Sequence, residues 1–289
     1  MDACPYCKNT AARPYLKLRD EFLTKEPFEI VECSSCHLLY TVPRPSADKI
    51  GLYYKSEEYL SHQKNTSGLI PRIYEKVKHV NLKRKFQLAT NGLPKGKILD
   101  IGCGVGDFLL VSKQNGWEVV GIEPSALAKS VAQERLGFTP LDPVEINQLS
   151  SSSFDVITMW HVLEHVEDVN EQVSQLSRLL KPGGRLVIAV PNYQSYDALY
   201  YQDQWAAWDV PRHLSHFNPT TMVAIISYFG FKSIDIQGLK WDAYYISYLS
   251  ERYLGHSLPL LRGAFRGACS NMKAHASGMY SSLVYRFTK

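Results

Sequence analysis

Apolar positions fall into two alternating regimes along most of the chain. Short β-rich runs occupy Lys97–Asp100, Trp117–Ile122 and Phe154–Met159, and a longer one lies within Leu179–Pro191 after a Pro-Gly-Gly turn. Between them lie stretches with helical spacing. Asp107–Asn115 is stopped by Gly116, and a helix capped by Ser125 runs to about Arg135. Upstream, Ile73–Ala89 repeats its apolar residues at helical intervals until Asn91-Gly92. Phe138–Leu141 is a weak third strand, and Phe231–Gln237 and Met279–Phe287 are late ones. Strands that alternate with helices predict a doubly wound, mostly parallel α/β sheet of Rossmann-like type.

The first strand breaks into glycines at 102, 104 and 106 before its helix begins, within KILDIGCGVGDF. Glycine at alternate positions lets backbone N–H groups approach a ligand and permits a tight strand-to-helix turn. The dinucleotide fingerprint is G-x-G-x-x-G; this spacing is G-x-G-x-G, with Asp100 at the strand end. Glu123 ends the second strand, 23 positions later, where a carboxylate can accept from both hydroxyls of a ribose. Together with the loop WHVLEHV after Phe154–Met159 and the segment LLKPGGRLVIAVP, these motifs resemble those of class I S-adenosylmethionine (SAM) dependent methyltransferases, in order and spacing, from about Leu93 to Gln237. The resemblance implies a seven-stranded sheet. It also implies a cofactor site of Asp100, Gly102, Cys103, Gly104, Gly106, Glu123, Trp160 and His161, holding SAM or S-adenosylhomocysteine (SAH). Transfer would be direct SN2 displacement, in which the enzyme aligns nucleophile, carbon and sulfur and excludes water.

The cysteines mark a second module. Cys4-Pro-Tyr-Cys7 and Cys33-Ser-Ser-Cys36 form two C-x-x-C knuckles, which suit a tetrahedral, structural zinc better than disulfides or a redox pair. So small a piece buries little core, and a metal would supply the missing stability. The pattern resembles the zinc ribbon that precedes many bacterial methyltransferase domains, with His37 where glycine is usual. The expected organisation is a ribbon over 1–45, a linker and helical segment over 46–92, and the methyltransferase domain over 93–289.

Two segments exceed a minimal nucleotide-binding core. Residues 192–218 follow the fifth strand at the edge where α/β ligands bind, and 241–278 interrupt the last hairpin. Both read as lids over an acceptor or as aromatic satellite cores. WDVPRHLSHF resembles an element of methyltransferases related to ubiquinone and sugar-modifying enzymes, which makes Asp209, Arg212 and His213 acceptor-side candidates. His161-Val-Leu-Glu164-His165 spells the inverted zincin motif, but its place after a strand of a βαβ series argues against a metalloprotease. His213 and His161 are the candidate bases for a hydroxyl or carbon acid, because imidazole titrates near neutrality.

Composition narrows the partners. The net charge of +4 is mild, and residues 1–45 carry six Lys/Arg against six Asp/Glu, so charge gives no support for nucleic acid. The basic run 71–97 reads as the solvated face of a helix. The opening MDACPYC lacks a basic-then-apolar leader, and no apolar run reaches the roughly 20 residues of a membrane span. The expectation is a cytoplasmic enzyme acting on a small-molecule acceptor. The alternative is a non-catalytic SAM-binding protein whose ribbon mediates protein or nucleic-acid contacts.

Overall fold

A computed structural model describes residues 2–54 and 69–289. The N-terminal strands β1 (Ala12–Arg19), β2 (Pro27–Cys33) and β3 (Leu39–Val42) pair antiparallel. Helix α1 (Leu69–Thr90) precedes β4 (Lys97–Ile101), α2 (Asp107–Gln114), β5 (Glu118–Ile122) and α3 (Ala126–Leu136). Then come β6 (Phe154–Trp160), α4 (Val169–Leu179) and β7 (Leu180–Pro191). The remainder is α5 (Tyr196–Tyr201), β8 (Ser215–His216), α6 (Pro219–Tyr228), β9 (Lys232–Gly238), α7 (Asp242–Tyr253), α8 (Pro259–Ser277) and β10 (Ser282–Thr288).

The main sheet has the order β5-β4-β6-β7-β10-β9. Its first four strands are parallel, and β10 runs antiparallel to β7 and β9. The central strands are buried on both faces, which is why they read as continuous apolar runs. The third strand of the sequence reading shrinks to one parallel bridge, Leu141 to Ile122. Pro140 and Pro143 flank it and lack the N–H groups a longer ladder needs. The Pro-Gly-Gly turn proves to be a bulge inside β7, where the register against β6 shifts between Leu180 and Arg185. Ser125 caps α3 by accepting from the Ala128 N–H.

The two expected lids have different fates. Residues 192–218 supply β8, whose Ser215 and His216 pair with Tyr40 and Leu39, so the N-terminal sheet runs β1-β2-β3-β8. Phe28, Ile30 and Leu39 share a core with Trp205, Trp208 and Val210. The 1–45 module and the insertion are thus one packed body. Residues 241–278 become the helical hairpin α7–α8 between β9 and β10. The linker reading over 46–69 falls largely on residues 55–68, outside those described.

Candidate functional site

The glycine loop caps the carboxyl ends of β4 and β5. Gly102 and Cys103 both donate their N–H to the Ile122 carbonyl, at 2.8 and 3.1 Å, folding the loop over β5. Glu123 then ties it down: one carboxylate oxygen accepts from Gly104 N at 2.9 Å and the other from Ser125 N at 2.8 Å. Each oxygen keeps a lone-pair direction for a ligand hydroxyl. At Gly102 (φ +71°) a Cβ would strike Val162 at 2.3 Å, so packing demands glycine. At Gly104 (φ +53°) a Cβ would meet nothing within 4 Å; the protein leaves that space free. Cys103 turns its thiol into the core, where a Cβ on Gly121 would lie 2.7 Å from its Sγ. Only its backbone faces the loop, and burial pushes the thiol well above its usual range.

Asp100 is buried and accepts from the Thr158 hydroxyl at 2.6 Å. Burial raises its carboxyl to about 7, opposed by that bond and by the charge of Lys85. Lys85 is the residue the sequence reading missed. It sits on α1 with its ammonium 4.8 Å over the Trp160 ring, and burial lowers its pKa against the pull of Asp242 and Asp100. The buried Trp160 indole N–H has no hydrogen-bond partner among the described residues. An ammonium and an unpartnered indole N–H, close to Asp100, suit the zwitterionic end of an amino-acid ligand. The signal lies in the basic run 71–97; at Lys85 the solvated-face reading does not hold, because the ammonium sits over the Trp160 ring.

His161 adopts φ +58° just after β6. Its Nε2 lies 3.0 Å from Asp242 and its Nδ1 3.4 Å from Glu164. Burial disfavours its charge, but the two carboxylates outweigh this and hold it at about 9. Imidazolium at neutral pH is no proton acceptor, so the expected base role does not suit His161; it is a cation clamped between two acids. The H-x-x-E-H segment is the end of β6 plus a 3₁₀ turn, Leu163–His165, rather than a helix presenting two histidines.

Glu164, His165 and His213 converge instead, with one ligand atom from each within 4.8 Å of the others. Glu164 is buried and burial works against its charge, yet His161 and its histidine neighbours keep it below the usual carboxylate range. Neither of its oxygens has a hydrogen bond. His165 Nδ1 meets the Arg212 carbonyl and His213 Nδ1 the Ala207 carbonyl, each at 2.9 Å. A carbonyl only accepts, so both Nδ1 atoms carry hydrogen, and the His213 Nε2 lies 3.9 Å from the Asp209 carboxylate. Burial, aided by His165, lowers His213 to about 4. Two imidazoles with carbonyl-bound Nδ1 atoms, together with a carboxylate, are a donor set suited to a divalent cation. Glu164 and His213 border a small cleft of about 10 Å³, room for roughly one water, lined also by Pro191, Tyr193, Trp205, Ser215 and Phe217; the buried Ser215 hydroxyl is also unpartnered.

Asp209 and Arg212, expected on the acceptor side, form a clamp. Arg212 donates to Asp209 at 2.7 Å and to fully buried Asp20 at 2.9 Å, joining the insertion to the N-terminal module. In that module Cys4, Cys7, Cys33 and Cys36 converge, with Sγ pairs at 3.6 and 3.4 Å. Thiolates around one ion at about 2.3 Å stand roughly 3.8 Å apart, so the cluster fits zinc.

The sheet order, the glycine loop and the acidic residues closing β4 and β5 define the fold of class I SAM-dependent methyltransferases. A sequence profile of the methyltransferase domain matches residues 59–236, and the chain belongs to that family. It is 32% identical over 108 residues to a ubiquinone biosynthesis O-methyltransferase of Alkalilimnicola ehrlichii, covering 35% of this chain and 44% of that one. Identity with the mitochondrial counterpart of Schizosaccharomyces pombe is 36% over 102 residues, 32% and 37% of the two chains. The chain thus spans less than half the length of these relatives. A SAM-dependent methyltransferase of Archaeoglobus fulgidus shares the fold, with TM-score 0.52 and 19% identity over 74% of this chain and 94% of that one.

Proposed function

We propose that this protein transfers the methyl group of SAM to an oxygen or carbon nucleophile of a small-molecule acceptor. Glu123 accepts the ribose hydroxyls, Asp100 the methionine ammonium, and Lys85 with the Trp160 indole the carboxylate. The acceptor approaches the methyl group from the side of Glu164 and His213. The observation that carries this reading is the buried carboxylate of Glu164, without a hydrogen bond, converging with His165 and His213. His213 takes the acceptor proton as the methyl leaves sulfur for the nucleophile, and Glu164 stabilises the imidazolium formed. SAH is released, and the proton returns to solvent in the next opening of the site. His161 holds Glu164 and Asp242 in place. Zinc in the four-cysteine cluster is structural, with no open position for chemistry.

The test is SAH release with quinols, phenols, nucleotide sugars and lipids offered as acceptors. His213→Asn, which keeps a donor to Ala207, should then lower kcat by roughly 10²–10⁴ fold with SAH affinity unchanged. Tight SAH binding without turnover on any acceptor would favour the non-catalytic alternative. Elemental analysis should find about one zinc per chain; none after metal-replete expression would remove the ribbon, and a second metal would fill the site at Glu164, His165 and His213.

A further inference from the structure

Helix α8 is amphipathic with its faces reversed. Gly263, Gly267, Ser270 and Ala274 are buried, and a Cβ on Gly263 or Gly267 would stand 2.6 or 2.8 Å from the Tyr248 or Tyr244 backbone of α7. The large apolar side chains therefore lie on the outer face. Leu261, Phe265 and Met272 recur at helical intervals and are 65%, 64% and 69% exposed. Leu258 and Leu260 extend the stripe at its start.

Charge says what covers it. Helix α8 has no Asp or Glu, and Arg262, Arg266 and Lys273 line one flank of the stripe. The acids of α7 turn inward: Asp242 pairs with His161, and fully buried Glu251 accepts from Tyr201 and Arg262. With Arg262 paired to Glu251, the outer surface of the hairpin keeps Arg266 and Lys273 beside its apolar stripe, and α8 itself carries no acid. A second copy would bring like-charged flanks together, whereas acidic lipid headgroups over an acyl layer match both features. Among the described residues no helix is long and apolar enough to cross a membrane.

We propose that the α7–α8 hairpin seats this protein on the surface of a bilayer containing anionic phospholipid. Leu261, Phe265 and Met272 enter the boundary between headgroups and acyl chains, and Arg266 and Lys273 meet the phosphates. The seat stands independently of the methyl-transfer reading.

Flotation of the full chain with vesicles tests it. Binding to phosphatidylglycerol–phosphatidylcholine vesicles should exceed binding to phosphatidylcholine alone and fall with added salt. The double variant Phe265→Ser, Met272→Ser should lose roughly tenfold in affinity. Its melting point and SAH affinity should stay unchanged, because both side chains are exposed. Lys273→Glu should reduce mainly the preference for the anionic lipid. Absence of binding to either vesicle, or equal binding by the double variant, overturns the proposal. So does a concentration-dependent dimer that the double variant makes monomeric, which assigns the face to a second copy.

Discussion

Asp100, Gly102, Gly104, Gly106 and Glu123 come from one βαβ unit, whereas the cleft at Glu164 and His213 is assembled from distant stretches. Its walls are the turn after β6, the insertion 192–218 and, behind them, the N-terminal strands that pair with β8. In the first region local geometry does the work: a glycine loop, two strand ends and a carboxylate that ties them together. In the second, the polar groups are placed by long-range clamps, such as Arg212 to Asp20 and the Thr41 hydroxyl to the His213 carbonyl at 2.7 Å. The cofactor half should therefore fail by losing its ligand, and the acceptor half by losing its fold.

Gly104→Val should break the cofactor half most completely. It fills the open space over the loop and forces φ +53° on a β-branched residue, at a cost of about 1–2 kcal/mol of stability. Calorimetry should then detect no SAH binding while most of the fold survives; retained affinity would place the ligand elsewhere. Arg212→Met should do the reverse. Asp20 would remain buried without its cation, costing about 3–5 kcal/mol in urea denaturation, with SAH affinity in the surviving folded protein near normal. Little change in stability would show the N-terminal module to be held by packing alone.

Glu123→Ala is milder and should weaken SAH by about 1.5–3 kcal/mol, since bonds to a charged acceptor are lost while the backbone of the loop remains. The smallest effect concerns pH. His161 is raised from its ordinary 6.5 to about 9, so the native state holds its proton more tightly. Its contribution to stability is complete below pH 6.5 and disappears as pH rises through about 9. The stability difference between the parent and His161→Gln should narrow across that interval; a flat difference would mean that the Asp242 and Glu164 contacts do not favour the imidazolium. His213 has the opposite sign. With its pKa lowered to about 4, its protonation opposes folding as pH falls from 6.5 towards 4.

Periodicity and spacing alone were enough to read the parallel strands, the helices between them, the roles of Asp100 and Glu123 as strand-end acids, and the four-cysteine set. Each depends on residues near one another in sequence, where the period of a strand or the reach of a knuckle constrains the geometry directly. What only the tertiary structure decided is which charged and polar groups meet. His161 and His165 lie in one short motif, yet the first is an imidazolium because α7 brings Asp242 to it, while the second joins His213 from a separate insertion. Lys85 over Trp160 and Arg212 against Asp20 owe their contacts to the same cause. A charge run on a helix carries no record of the ring it will cover, and an arginine near an aromatic insertion carries none of a buried aspartate almost two hundred residues away. Protonation and ion pairing follow burial and contact, and those exist only once the sheet has brought the ends of the chain together.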